Sequence, residues 1–110
     1  MLEVNVEEQA SNVIIRPDGE VDLSTSRELQ QALKNAMSGK PERVVVDLEK
    51  VPYMDSSGVA TLVEAMQIAR KQKSALVLCA MQDKVRSIFE IARLDRVFTI
   101  VASADDALTA

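Results

Sequence analysis

The run Val44-Val45-Val46-Asp47-Leu48-Glu49-Lys50-Val51-Pro52-Tyr53-Met54-Asp55-Ser56-Ser57-Gly58-Val59 reads as a strand, a short connection and the first turn of a helix. Arg43 to Leu48 is apolar without alternation, the pattern of a strand buried on both faces of a parallel sheet. After it, Val59, Leu62, Val63, Met66 and Ala69 recur at helical spacing, which predicts an amphipathic helix over roughly Ser57 to Lys71. Lys71-Gln72-Lys73 sets positive charge at its negative dipole end. Between strand and helix lies Asp55-Ser56-Ser57-Gly58, a carboxylate and two hydroxyls at a helix start. Backbone N–H groups are unpaired there and the helix dipole is positive. Such a place is a natural seat for a phosphate, either bound or covalently attached.

Working outward, Val4, Val6 and then Val13-Ile14-Ile15 predict two short strands joined near Ala10-Ser11-Asn12. Pro17-Asp18-Gly19 interrupts the second strand or marks a bulge or turn, and Glu20-Val21-Asp22-Leu23 resumes it briefly. Thr25-Ser26-Arg27-Glu28 has the spacing of a capping box. Leu29, Ala32, Leu33, Ala36 and Met37 give the helix after it one apolar face, and Gly39 and Pro41 stop it. Beyond the central run, Ala75 to Cys79 is an apolar strand and Gln82 to Arg93 a helix carrying Val85, Ile88, Phe89 and Ala92. Val97 to Val101 is a last strand, and Ser103-Ala104-Asp105-Asp106 opens a short terminal helix. The order β-β-α-β-α-β-α-β-α predicts a single α/β domain over residues 1–110. Its mixed, mostly parallel sheet starts with an N-terminal hairpin and has helices packed on it.

Composition narrows the chemistry. The 110 residues are 47% apolar and 27% charged, ordinary for a globular domain with its own core. Aromatics are only 3%, so that core is aliphatic. Histidine is absent, which excludes a Ser-His-Asp triad. One cysteine, Cys79, excludes an internal disulfide, and its apolar surroundings predict a buried small hydrophobe. Three glycines leave no Walker A loop and no G-x-G-x-x-G. No carboxylate cluster replaces the missing zinc ligands. The net charge of −4 argues against nucleic acid. The absence of an apolar run of about 18 residues argues against membrane insertion. Met1 to Asn5 lacks the marks of a signal peptide, which points to the cytoplasm. No enzymatic activity and no cofactor is expected.

Two readings of the Asp55-Ser56-Ser57-Gly58 corner remain on local chemistry. Aspartate and serine are among the best N-cap residues, and Gly58 then serves close packing. Alternatively Ser56 accepts a phosphate, which adds a charge of about −1.5 to −2 beside Asp55. The helix N–H groups could then receive it. Thr61 and Glu64 are expected to face solvent. Met54 and Met81 are either exposed partner contacts or fillers of the core.

The central run resembles the STAS family, specifically its bacterial anti-sigma factor antagonists (anti-anti-sigma factors). In that family a buried strand ends in Asp-Leu, and Asp-Ser-Ser/Thr-Gly opens the next helix. Gly19-Glu20-Val21-Asp22-Leu23-Ser24-Thr25-Ser26 is similar to the family's Gly-Glu-Leu-Asp segment before the first helix. Leu78-Cys79-Ala80-Met81 with Val85-Arg86-Ser87-Ile88-Phe89 is a third likeness, in the expected order. Val59-Ala60 departs from the family's frequent Leu-Gly. The resemblance implies a switch. An unmodified antagonist binds an anti-sigma factor serine kinase and frees a sigma factor. The kinase phosphorylates the antagonist and breaks the complex, and a PP2C-type phosphatase restores it. Carried over by position, the phosphoacceptor is Ser56. Asp55, Ser57 and Gly58 complete the loop, and Asp22 with Ser24 helps form the partner surface. Thr61, one turn on, is a further candidate contact. The alternative within the family is a STAS subunit of an ABC-type lipid transport complex, docking through the same corner.

Overall fold

The computed structural model describes residues 2–110. Five strands form one sheet in the order β1-β2-β3-β4-β5. They are β1 (Glu3–Gln9), β2 (Asn12–Asp18), β3 (Arg43–Asp47), β4 (Ala75–Cys79) and β5 (Thr99–Val101). β1 and β2 make the expected antiparallel hairpin, with Gln9 opposite Asn12. The pairs β2–β3, β3–β4 and β4–β5 are all parallel. The helices α1 (Ser26–Ser38), α2 (Ser56–Gln72) and α3 (Asp83–Ile91) are the three crossovers. A strand order that advances in one direction, with crossovers of one hand, sets all three on the same face.

Alternation along the strands divides the core in two. Val13, Ile15, Val44, Val46, Leu76 and Leu78 pack under the helices with Leu29, Leu33, Leu62, Ala65, Val85 and Phe89. Phe89 meets Phe98 edge-on at 5.5 Å between centroids, which pins α3 to the approach to β5. Ile14, Val45, Val77 and Cys79 point the other way, and α4 (Ala104–Ala107) covers them through Ala107. Cys79 is fully buried there, and burial pushes its thiol up to about 12. A charged set extends this cover. Arg16 Nη1 bonds Glu7 Oε1 at 2.6 Å, and its Nε lies 3.5 Å from Asp47 Oδ2. Arg43 donates from Nη1 to the Leu108 carbonyl and from Nη2 to the Ala110 carbonyl, at 2.7 and 2.8 Å.

Several expected details differ. β2 runs unbroken through Pro17 to Asp18. Its ladder with β3 ends at Ile15, so the proline has no β3 pairing to interrupt. The strand does not resume over Glu20–Leu23. Only Val21 forms a bridge, parallel to Met54. Thr25 and Glu28 make no capping box. The Thr25 hydroxyl donates to the Glu20 carbonyl, and Glu28 accepts from the Leu2 N–H. Backbone groups of the turn and of the N-terminal strand's approach engage these side chains instead. Ser103 does cap α4, accepting from the Asp106 N–H at 3.1 Å. α3 ends at Ile91, where Arg93 turns left-handed (φ 60°) into a 3-10 turn over Leu94–Arg96. That turn delays β5 to Thr99.

Candidate functional site

The corner lies where the carboxyl end of β3 feeds α2. Asp55 is the N-cap, in extended conformation (φ −95°, ψ −173°). Its Oδ1 accepts the backbone N–H groups of Ser57 at 2.9 Å and Gly58 at 3.3 Å, together with the Ser57 hydroxyl. Its Oδ2 accepts the Leu23 N–H at 3.1 Å. These donors, the Ser57 hydroxyl foremost, hold the Asp55 carboxyl below its ordinary value.

The segment before α1 is stitched to this corner. Gly19 donates to the Lys50 carbonyl, Val21 to that of Tyr53, and Asp55 donates back to Val21, each at 3.0 Å. Gly19 can make the first of these because it turns at φ 128°, a conformation that side chains resist. Beyond Val21 the chain folds into a tight turn. Asp22 Oδ1 accepts both the N–H and the hydroxyl of Ser24, at 2.9 and 2.7 Å. The Ser24 hydroxyl is the main reason the Asp22 carboxyl is also held below its ordinary value. Asp22, Ser24, Asp55, Ser56 and Ser57 are thus gathered in one place from two segments about 30 residues apart.

The two serines are not equivalent. Ser57 is half-buried, and its hydroxyl is committed to Asp55. Ser56 is exposed, and among the described residues its hydroxyl has no hydrogen-bond partner. Asp55 already occupies the N–H groups of Ser57 and Gly58, and its carbonyl accepts that of Val59.

Gly58 is buried and points inward. A Cβ there would stand 2.5 Å from Met54 Cγ and 2.8 Å from Val21 Cγ1. Glycine is what lets α2 press on the Val21–Met54 bridge. Thr61 was expected at the surface but is only 9% exposed. Its hydroxyl donates to the Ser57 carbonyl at 2.9 Å. Glu64 is half-buried and accepts from Gln30 of α1 at 2.9 Å. Both residues face α1, because the buried stripe of α2 is Gly58, Thr61, Leu62, Ala65 and Ala69. Small and polar residues of that stripe do not register as apolar in the sequence. Met54 and Met81 both lie in the core. The corner also presents a residue that the periodicity did not single out, Leu23, 82% exposed on the turn.

The profile of the STAS domain matches residues 3–107. The chain belongs to the STAS domain family. Within it, an anti-sigma-B factor antagonist of Listeria monocytogenes is 31% identical over 94 residues, covering 86% of this chain and 82% of that one. The STAS fold of this chain is also similar to the crystal structure of an anti-sigma factor antagonist from Mycobacterium paratuberculosis. The TM-score is 0.91 at 26% identity, over 99% of this chain and 92% of that one. The Bacillus cell fate determinant SpoIIAA, solved in its phosphorylated form, shares the fold with a TM-score of 0.76 at 21% identity, over 97% of each chain. Among the described residues, no helix of this STAS domain is long and apolar enough to cross a membrane, and no cluster suits a metal ion.

Proposed function

We propose that this STAS protein is an anti-sigma factor antagonist controlled by phosphorylation of Ser56. The unphosphorylated form binds an anti-sigma factor that is also a serine kinase, so that a sigma factor is released. Phosphorylation of Ser56 ends that binding, and a phosphatase of the PP2C type reverses it. The protein acts as a binding partner rather than as an enzyme, and its place of action is the cytoplasm.

The observation that carries this reading is the contrast between the two serines. A kinase needs an accessible hydroxyl that is not already committed, and Ser56 meets this condition where Ser57 does not. The new charge has a physical effect at this position. About −1.5 to −2 charges arrive next to Asp55 and Asp22, where Asp55 already takes the N–H groups of Ser57 and Gly58. A partner packed on the corner must then bury or face an unpaired dianion, which is costly. The fold beneath is untouched, because Asp55 goes on capping α2. The antagonist names of the relatives support the choice of partner class.

The test uses ATP and each anti-sigma factor encoded in the genome that carries this gene. One of them is expected to add a single phosphate to the wild type and to Ser57→Ala, but none to Ser56→Ala. Phosphate transfer to Ser56→Ala at the wild-type rate rejects the assignment.

A further inference from the structure

Leu23 is the least expected residue of the corner. A leucine that is 82% exposed on a loose loop means little, since isolated surface leucines are common. Leu23 is not on a loose loop. Its own N–H is held by Asp55 Oδ2 at 3.1 Å. The residue before it is held through its N–H by the Thr25 hydroxyl and through its carbonyl by the N–H groups of Thr25 and Ser26. The residue after it donates its N–H to Asp22 Oδ1. The turn therefore presents one bare aliphatic side chain from a fixed backbone position. The carboxylate that fixes it belongs to the residue immediately before Ser56. Tyr53, 43% exposed, lies on the segment that pairs with the same loop.

We propose that Leu23 is the apolar anchor by which this corner seats in an anti-sigma factor, entering an apolar socket whose rim closes over Ser56. The inference rests on the proposed function and adds the chemistry of the contact. A side chain carried on a pre-ordered backbone enters a socket without the cost of ordering the turn. Water must leave the rim for the socket to close on the leucine. An unmodified serine tolerates that loss of water, whereas a dianionic phosphate resists it. Anchor and phosphoacceptor are coupled through Asp55, which holds the Leu23 turn with one oxygen and caps the Ser56 helix with the other. Phosphorylation thus acts on the desolvation of the contact and leaves the folded shape as it is.

The experiment measures affinity of the full-length protein for the purified anti-sigma factors of the same genome, by calorimetry. Wild type is expected to bind one of them, and Leu23→Ala to bind it roughly tenfold or more weakly, as befits a buried leucine side chain withdrawn from its socket. Leu23→Met should keep most of the affinity, and Leu23→Asp should lose it. Ile91→Ala removes an equally exposed side chain (84%) from the far end of α3 and should change nothing. Thermal unfolding at the wild-type temperature shows that each variant is folded. If Ser56→Asp abolishes binding while Leu23→Ala binds as wild type, the anchor is rejected and the proposed function stands. If no anti-sigma factor binds the wild type, the proposed function fails and the anchor with it. A self-association that Leu23→Ala abolishes, with unchanged affinity for the anti-sigma factor, also rejects the anchor.

Discussion

Asp55 serves three structures with two oxygen atoms: the start of α2, the Ser57 hydroxyl and the Leu23 turn. All these donors favour the ionised carboxylate, so its folded pKa lies below the ordinary 3.8. The linkage then has a definite sign. The unfolded chain binds the proton more readily, so stability rises with pH through this window. The contribution is complete above pH 3.8 and is lost as pH falls through the lowered folded value. Asp22 contributes in the same direction. Asp55→Asn keeps a good N-cap but removes the charge. Its melting temperature is therefore expected to fall less steeply than that of wild type when pH is lowered from 5 to about 2. Parallel curves would show that the carboxylate charge at this position is not coupled to folding. That Asp55 caps the helix was legible in the sequence, because Asp-Ser-Ser before an apolar periodic segment is a helix-start pattern. Its hold on Leu23 was not, since that bond joins residues 32 apart.

At the scale of elements, the decisive contact is α2 against the Val21–Met54 bridge. Helix propensity alone favours alanine over glycine at position 58 by about 1 kcal/mol. The space does not allow it. Val21 and Met54 are both fully buried, and a Cβ would approach them to 2.8 and 2.5 Å. Overpacking typically costs about 1–3 kcal/mol, and two approaches under 3.0 Å to fully buried side chains put this one at about 2–3, so Gly58→Ala should lose about 1–2 kcal/mol net in urea unfolding. A more stable Gly58→Ala would mean that α2 can lift from the bridge without penalty. The same helix shows where periodicity misleads. Val59, Val63 and Met66 define an apparent apolar face, yet they are only partly buried, and Gly58, Thr61 and Ala65 are buried in their place. α2 is the middle helix of three, touching the sheet below and α1 beside it. Small residues on the second contact let α1 approach, and a pattern of large apolar side chains does not display them.

At the scale of the molecule, the sheet is covered unequally. Three helices protect one face, while α4, four residues long, protects the centre of the other. So short a helix is not stable by itself. It is held by Ala107 in the apolar patch and by the two bonds from Arg43 to the carbonyls of Leu108 and Ala110. Cys79 lies in that patch and reports on its integrity. Arg43→Leu should loosen α4 and make Cys79 react faster with a thiol reagent, with little change in the helix-covered half of the core. Unchanged Cys79 reactivity would show that the apolar contact of Ala107 suffices. This arrangement was invisible beforehand, since it depends on an arginine on β3 and carbonyls more than 60 residues later.

By itself the sequence determined the order of elements, the parallel run of strands, the aliphatic core and the helix that begins at Asp55-Ser56-Ser57-Gly58. These follow from local periodicity and capping, which act over a few residues. It also determined that histidine and glycine-loop chemistry is absent. Only the tertiary structure decided which serine is free and that Thr61 is buried. The same holds for the N–H groups of Ser57 and Gly58, which Asp55 takes, and for Leu23, which stands bare on the turn that Asp55 holds. Each of these depends on two segments meeting beyond the carboxyl ends of β2 and β3, where a carboxylate, a hydroxyl or a void can be taken by a residue far away in the chain. The corner is therefore written in one short motif, but what it can offer a partner is set by the loop from Gly19 to Thr25 folded against it.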